Sequence, residues 1–203
     1  MNKIVLDKFD LKLKLFIQLF IAAMLPLYNF VYESNFMLWG CYIGLFLTFI
    51  ALTFKNRLAM SMAFIGTFFS CMLWCIDFIC QFFFNKIIFF GEPITRFFVS
   101  KLPIWVQSFS FFHVFIPVIW IYYLKKWGYD PKALHYFLIL ISIDFIVIYL
   151  FTDPTCNINW VFLPTKGGWQ NISPLAWLIL EMALLVVFLW LPMHLIAMRI
   201  FKK

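Results

Sequence analysis

The sequence predicts an all-α, polytopic membrane protein of six transmembrane helices with N and C termini both cytoplasmic. Three observations carry that prediction. Apolar residues make up 65% of the chain, aromatic residues 23% and charged residues only 12%, which does not describe a soluble domain. Nearly uncharged runs of about 18 residues or more recur along the whole length, and ~20 apolar residues suffice to cross a bilayer. Twelve of the sixteen Lys and Arg fall in 1–14, 55–57, 125–132 and 199–203, and four fall in the alternate connections, at Lys86, Arg96, Lys101 and Lys166. A three-to-one bias over short loops places the richer side in the cytoplasm.

In chain order, residues 1–14 form an amphipathic interfacial segment in which Lys3, Lys8, Lys12 and Lys14 alternate with apolar residues around Asp7 and Asp10. Residues 15–203 form a single transmembrane domain, with no room for a separate soluble one. The first span, about 15–32, is too long for a signal-peptide core and lacks a small-x-small cleavage site; proline predicts a kink or an end near Pro26. Glu33-Ser34-Asn35 is the first turn. The second span, about 36–54, carries Trp39-Gly40-Cys41-Tyr42 and closes at Lys55-Asn56-Arg57. The third, about 58–80, ends among Cys71, Cys75, Asp77 and Cys80. Residues 81–103, aromatic-rich and containing Gly91-Glu92-Pro93, are expected to lie along the interface. The fourth span, about 104–124, holds Ser108, Ser110, His113 and Pro117. The fifth, about 133–152, follows a basic turn and has Asp144 near its middle. An outer loop over 153–173 begins with an Asp153-Pro154 turn and contains Asn157, Asn159 and Trp160 before the flexible Lys166-Gly167-Gly168. Pro174 opens the sixth span, about 174–201, with Glu181 and Pro192 inside it.

This topology puts Cys41, Asp77, His113, Asn157, Asn159 and Glu181 in the outer half of the membrane. His113 is about ten residues, or ~15 Å, below the outer end of its span. An ionisable group at mid-span costs ~2.5–3.5 kcal/mol on insertion scales, so it tends to be kept for a reason and to find a partner. These residues, with Trp160, are the candidate lining of an outward-facing cavity. Each also has a plainer reading. His113 could simply bond a carbonyl or serine on a neighbouring helix. Cys41 could be a small buried hydrophobe, and Asp77 and Glu181 a structural polar pair. Cys71, Cys75 and Cys80 stand at spacings that do not share one face well and read as packing. Asp144 could be a proton-relay group. His135 and His194 read as interfacial, and Asn171-Ile172-Ser173 matches a glycosylation sequon, a pattern common by chance.

Several classes are excluded or unsupported. The net charge of +7 is explained by Lys and Arg at helix ends facing anionic headgroups, so membrane lipids are the expected partners and nucleic acid is not. No two histidines fall at i, i+4 on one helix, so no metal site is expected. There is no phosphate loop, dinucleotide fingerprint or nucleophile elbow, and no cofactor is expected. The five cysteines make no disulfide framework.

Five stretches carry a resemblance: Trp39-Gly40-Cys41-Tyr42; Trp74 with Asp77; Ser110-Phe111-Phe112-His113-Val114-Phe115-Ile116-Pro117; Gly128-Tyr129-Asp130; and Asn157-Ile158-Asn159-Trp160-Val161-Phe162. Over about residues 30–195 the chain resembles a family of bacterial integral membrane proteins known only as membrane-associated proteins. That resemblance implies the bacterial cytoplasmic membrane as the location. More distantly, the order of features is similar to the intramembrane cysteine acyltransferase family that remodels ether phospholipids, and to its bacterial relatives. This second resemblance implies Cys41 and His113 as the catalytic pair, followed by the loop 157–162 and a final helix holding Trp177 and Glu181. The chain has Trp39-Gly40 where those bacterial relatives tend to have a histidine, and a longer interval between Cys41 and His113.

The expected function is therefore thiol-dependent acyl transfer on lipids: Cys41 the nucleophile, His113 its base, and Asn157 or Asn159 a donor to the oxyanion. The competing expectation is a small-molecule or ion carrier, or a structural subunit of a membrane complex, using the same polar cavity. A carrier would rely on Asp144, Asp77 and Glu181. Six spans without an evident inverted repeat argue against a stand-alone transporter and leave a homodimer open.

Overall fold

A computed structural model of the chain describes residues 3–31, 37–86, 88–89, 104–162 and 172–202. The described residues are helical with tight connections and include no strand. Three helical stretches, Arg57–Phe84, Ala133–Phe151 and Pro174–Ile200, are long and apolar enough to cross a membrane. The expected turn at Glu33-Ser34-Asn35, most of the connection 90–103, Lys166-Gly167-Gly168 and Asn171 of the sequon lie outside the described residues.

Helix α1 is Lys3–Val31. The interfacial segment and the first span are thus one continuous helix, and Pro26 does not end it. Helix α2, Gly40–Phe54, begins four residues later than expected. Helix α3, Arg57–Phe84, runs four residues past its expected end. Its start is set by Asn56, whose side chain accepts the Ala59 N–H at 3.0 Å. Its end is set by Asn85, left-handed at φ 53°: the Asn85 N–H turns back to the Gln81 carbonyl at 3.1 Å and the Lys86 N–H to the Cys80 carbonyl at 3.3 Å. The stretch expected as the fourth span holds a short α4, Ile104–Ser108, a 3₁₀ turn at Phe109–Phe111 and then α5, Phe112–Trp127, closed by Gly128 at φ 84°. Helix α6 is Ala133–Phe151. The last span opens with Ser173 capping Ala176 and Pro174 in the first turn. It comprises α7, Pro174–Leu185, a π turn at Val186–Trp190 and α8, Leu191–Ile200. Pro192 has no N–H and its ring crowds the carbonyl four residues back, at Phe188, which accounts for a widened turn there.

Helix α3 is the centre, packed against α2, α5 and α6 and touching the last span. Two glycines permit its closest approaches. A Cβ on Gly44 of α2 would meet Thr67, and one on Gly66 of α3 would meet the ring of Phe137 on α6. Between α2 and α5 the Trp120 indole donates to Thr48 Oγ1 at 2.7 Å, and that hydroxyl donates to the Gly44 carbonyl at 2.7 Å. Around these contacts Leu45, Ile65, Phe112, Trp120, Tyr123 and Phe137 are buried. The outer surface is also apolar, with Phe46, Val118, Ile143, Leu150, Ile179 and Phe188 all exposed.

One end of the bundle is tied by polar contacts among residues from four parts of the chain. Lys126 meets Asp10 at 2.9 Å, and Arg57 meets Asp130 at 3.5 Å. The Asp130 N–H donates to Ser61 Oγ at 2.9 Å, and the Tyr129 N–H donates to the Phe201 carbonyl at 3.0 Å. Burial pushes the Tyr129 hydroxyl above its ordinary range, so it keeps its proton, and it is hydrogen-bonded to His194 Nδ1 at 2.7 Å. His194 is thus a buried partner rather than an interfacial group.

Replacing Gly66 with alanine sets a methyl against a buried ring that cannot move aside. The expected cost is about 1–3 kcal/mol, read as a lower unfolding temperature in detergent. Adding Phe137→Leu is expected to recover part of that loss.

Candidate functional site

The other end of the bundle carries the candidate residues, and the loop after α6 organises them. Asp153 accepts from Thr155 N at 2.7 Å and from Thr155 Oγ1 at 2.6 Å, with Pro154 at the first position of a 3₁₀ turn. The Thr155 hydroxyl and amide hold the Asp153 carboxyl below the usual carboxylate range. The chain then reverses through three left-handed residues, Asn157 (φ 37°), Asn159 (φ 52°) and Trp160 (φ 58°). Asparagine tolerates that conformation and tryptophan rarely adopts it, so something must hold the loop.

The Asn159 side chain does so. Its Oδ1 accepts the Gly40 N–H at 3.0 Å, while its Nδ2 donates to the Leu38 carbonyl at 2.8 Å and to Asp144 Oδ2 at 3.2 Å. An N–H needs an acceptor, and a carbonyl and a carboxylate need a donor, so the partners fix which way the amide points. Both amide hydrogens are thereby used, and Asn159 has none left for an oxyanion. Asn157 accepts the Phe162 N–H on its Oδ1 at 2.9 Å, and its amide nitrogen donates to no described residue. Trp160 packs edge-on against Trp39 with ring centroids 5.7 Å apart, and its carbonyl accepts from the Trp177 indole at 3.0 Å. The loop thus closes over the starts of α2 and α7. Asp144 lies seven residues before the end of α6, ~10 Å along the helix, so the loop reaches well into the bundle.

Below it, Cys41 is the second residue of α2 and His113 the second of α5. Their chain neighbours Tyr42 and Phe112 are in ring contact at 6.0 Å, which puts the two helix starts side by side at one level. His113 is buried, stacked on Trp74 of α3 at 4.5 Å, with Nδ1 2.7 Å from the Ser110 carbonyl. A carbonyl can only accept, so Nδ1 carries the proton and Nε2 the lone pair. The 3₁₀ turn at 109–111 is what brings that carbonyl back over the ring. The Cys75 thiol lies 3.5 Å from the His113 carbonyl. Cys71, one turn earlier on the same face of α3, is buried within electrostatic reach of both Cys41 and Cys75. Cys71 and Cys75, one turn apart on α3, share a face and Cys80 does not, so the three do not share one.

Asp77 and Glu181 do not pair with each other. Asp77 is fully buried and accepts from Ile88 N at 2.9 Å and from Phe89 N at 3.0 Å, which folds the chain back over the end of α3. Glu181 is only 8% exposed, one turn below Trp177, and its Oε2 has no hydrogen-bond partner among the described residues. No group of three or more His, Cys, Asp or Glu suited to a metal ion occurs among the described residues.

Sequence reasoning singled out the loop and its asparagines but missed the acceptors and donors they use. Leu38 and Gly40 act through backbone atoms, which leave no mark in side-chain identity. Asp144 reads from the sequence as a candidate proton-relay group, and nothing in its spacing ties it to Asn159. Comparison with known proteins adds nothing to this geometry: no family model, curated protein or solved structure matches the chain.

Because Asp77 satisfies two backbone N–H groups, each worth about 1–3 kcal/mol if left buried and unpaired, Asp77→Ala is expected to release the segment after α3. Hydrogen exchange at Ile88 and Phe89 should rise at least tenfold, with little change at Tyr129 at the far end.

Proposed function

We propose that this is a six-span membrane protein catalysing thiol-dependent acyl transfer on lipids, with Cys41 as nucleophile and His113 as base. The observation that carries the reading is the Tyr42–Phe112 contact, which sets the two residues on adjoining helix starts, together with the His113 tautomer fixed by the Ser110 carbonyl. The topology proposed is six crossings with both termini cytoplasmic, in the bacterial cytoplasmic membrane. It is supported by the polar network that joins Asp10, Arg57, Lys126, Asp130 and Phe201 at one end, since those residues belong to the four segments rich in Lys and Arg. The apolar exterior suits a lipid environment. The resemblance to the membrane-associated protein family and to the ether-phospholipid acyltransferases is part of the same proposal.

In this mechanism His113 Nε2 takes the Cys41 thiol proton, and the thiolate attacks the acyl carbonyl carbon of a lipid ester. Collapse of the tetrahedral species breaks the C–O bond, and the lysolipid leaves with the proton held on His113. Cys41 is left as a thioester. An acceptor hydroxyl, deprotonated by His113, attacks that thioester and the Cys41 thiol is restored. Asn157 is the amide donor available to the oxyanion.

A second reading is favoured by one observation. The unpartnered carboxylate oxygen of Glu181, buried in a span, is what a proton or cation carrier would need. The two readings separate on the purified protein in phospholipid vesicles. Wild type is expected to acquire a hydroxylamine-sensitive acyl group on Cys41, seen by mass spectrometry. Cys41→Ser should abolish it, and His113→Ala should slow it about 10²–10⁴-fold without loss of folded protein. Absence of any adduct on wild type, together with ion flux that Glu181→Gln abolishes, would establish the carrier instead.

A further inference from the structure

We propose that Asn159 is a positioning residue: its carboxamide caps the first turn of α2 from a distant part of the chain and thereby holds Cys41 at the start of α5, with Asp144 fixing the orientation of the amide. The consequence for catalysis rests on the reading of Cys41 as nucleophile; the cap itself does not. Helix α2 needs such a cap. It has 15 residues, ~22 Å at ~1.5 Å per residue, against a hydrocarbon thickness of ~30 Å. Its first turn lies against the bundle, with Gly40 and Cys41 half-buried and Tyr42 buried. The first amides of a helix have no intrahelical acceptor, and in a membrane no water stands ready to supply one. The residue at the usual capping position, Trp39, makes no side-chain cap. The acceptor comes instead from Asn159, 119 residues further along, at 3.0 Å from Gly40 N.

The same amide also fixes the chain leading into the helix, through its bond to the Leu38 carbonyl at 2.8 Å. Gly40 is thus gripped on both sides, and Cys41 follows it directly. The remaining bond, to Asp144 Oδ2 at 3.2 Å, reaches a carboxylate that can only accept when ionised. A carboxylate there forces Nδ2 toward α6 and leaves Oδ1 facing Gly40. Asp144 is buried, so this contact also accounts for an acidic residue in the interior of α6. The left-handed backbone at Asn159 and Trp160 is the conformational cost of presenting the amide, and the three bonds offset it.

The test exchanges donor and acceptor. Asn159→Asp keeps an oxygen toward Gly40 but sets two carboxylates side by side. Asp144→Asn alone keeps an acceptor oxygen and should do less damage. In the double variant Asn159→Asp with Asp144→Asn, the new amide donates to the new carboxylate, so the link to α6 and the acceptor for Gly40 return with the polarity reversed, while the Leu38 carbonyl loses its donor. Two readouts are taken: hydrogen exchange at Gly40, with Tyr129 at the opposite end as reference, and kcat and KM for acyl transfer from a phospholipid in vesicles. Asn159→Asp and Asn159→Leu are expected to raise Gly40 exchange at least tenfold, leaving Tyr129 unchanged, and to lower kcat at least tenfold with little change in KM. The double variant should recover part of the loss in both and stay short of wild type, because the Leu38 carbonyl still lacks its donor. A double variant no better than Asn159→Asp, or Gly40 protection unchanged in Asn159→Leu, would overturn the proposal. If wild type shows no acyl transfer, the exchange arm still decides the role of Asn159, and only the catalytic reading fails.

Discussion

A buried helix start needs an acceptor for its first N–H groups, and here that need is met by one side chain from a distant loop. The Asn159 amide joins the chain entering α2, the interior of α6 and the loop between α6 and α7. Around it follow the left-handed reversal at 157–160, the edge-on packing of Trp160 on Trp39 and the indole bond from Trp177. That junction holds the chain at the start of α2, and the Tyr42–Phe112 and Trp120–Thr48 contacts set the helix against α5.

The rest of the bundle supplies the frame in which such a junction holds. Helix α3 brings α2 and α6 close through Gly44 and Gly66, where shape allows contact that a larger side chain would prevent. Its Trp74 forms the floor under His113. The opposite end is held by ion pairs and by the Tyr129–His194 bond. Polar contacts thus fasten both ends, while apolar packing fills the middle. This division suits a chain whose exposed side chains are themselves apolar, since the hydrophobic effect cannot then distinguish inside from outside.

Much of this was legible in the sequence, because helices in such a chain announce themselves by long apolar runs and by the residues that end them. Asn56, Gly128 and Pro174 mark boundaries for reasons of local backbone preference, and the helix bounds near them follow. The continuity of α1 through Pro26 was not legible. Nor was the late start of α2, which depends on a loop more than a hundred residues away. At the site, the importance of the knot at 153–162 could be read from its Asp-Pro turn and paired asparagines. The role of Asn159 could not, because it is defined by two backbone atoms and by Asp144. Nor could the bond of Asp77 to the amides of Ile88 and Phe89, which are backbone groups.

The central claim is that Cys41 and His113 face a common space where α2 meets α5. Short-range cross-linking measures it most directly. In a variant carrying Cys41 and His113→Cys, with the other four cysteines replaced by alanine, a dithiol-reactive reagent spanning about 5 Å should join positions 41 and 113 rapidly in the membrane. A control pair at 42 and 112, made by Tyr42→Cys and Phe112→Cys in a chain without native cysteines, reports the helix contact itself. Efficient cross-linking of both pairs is the expected result. Cross-linking of 42 to 112 but not of 41 to 113 would show that the helices meet with the thiol turned away from the histidine, and would contradict the catalytic pair.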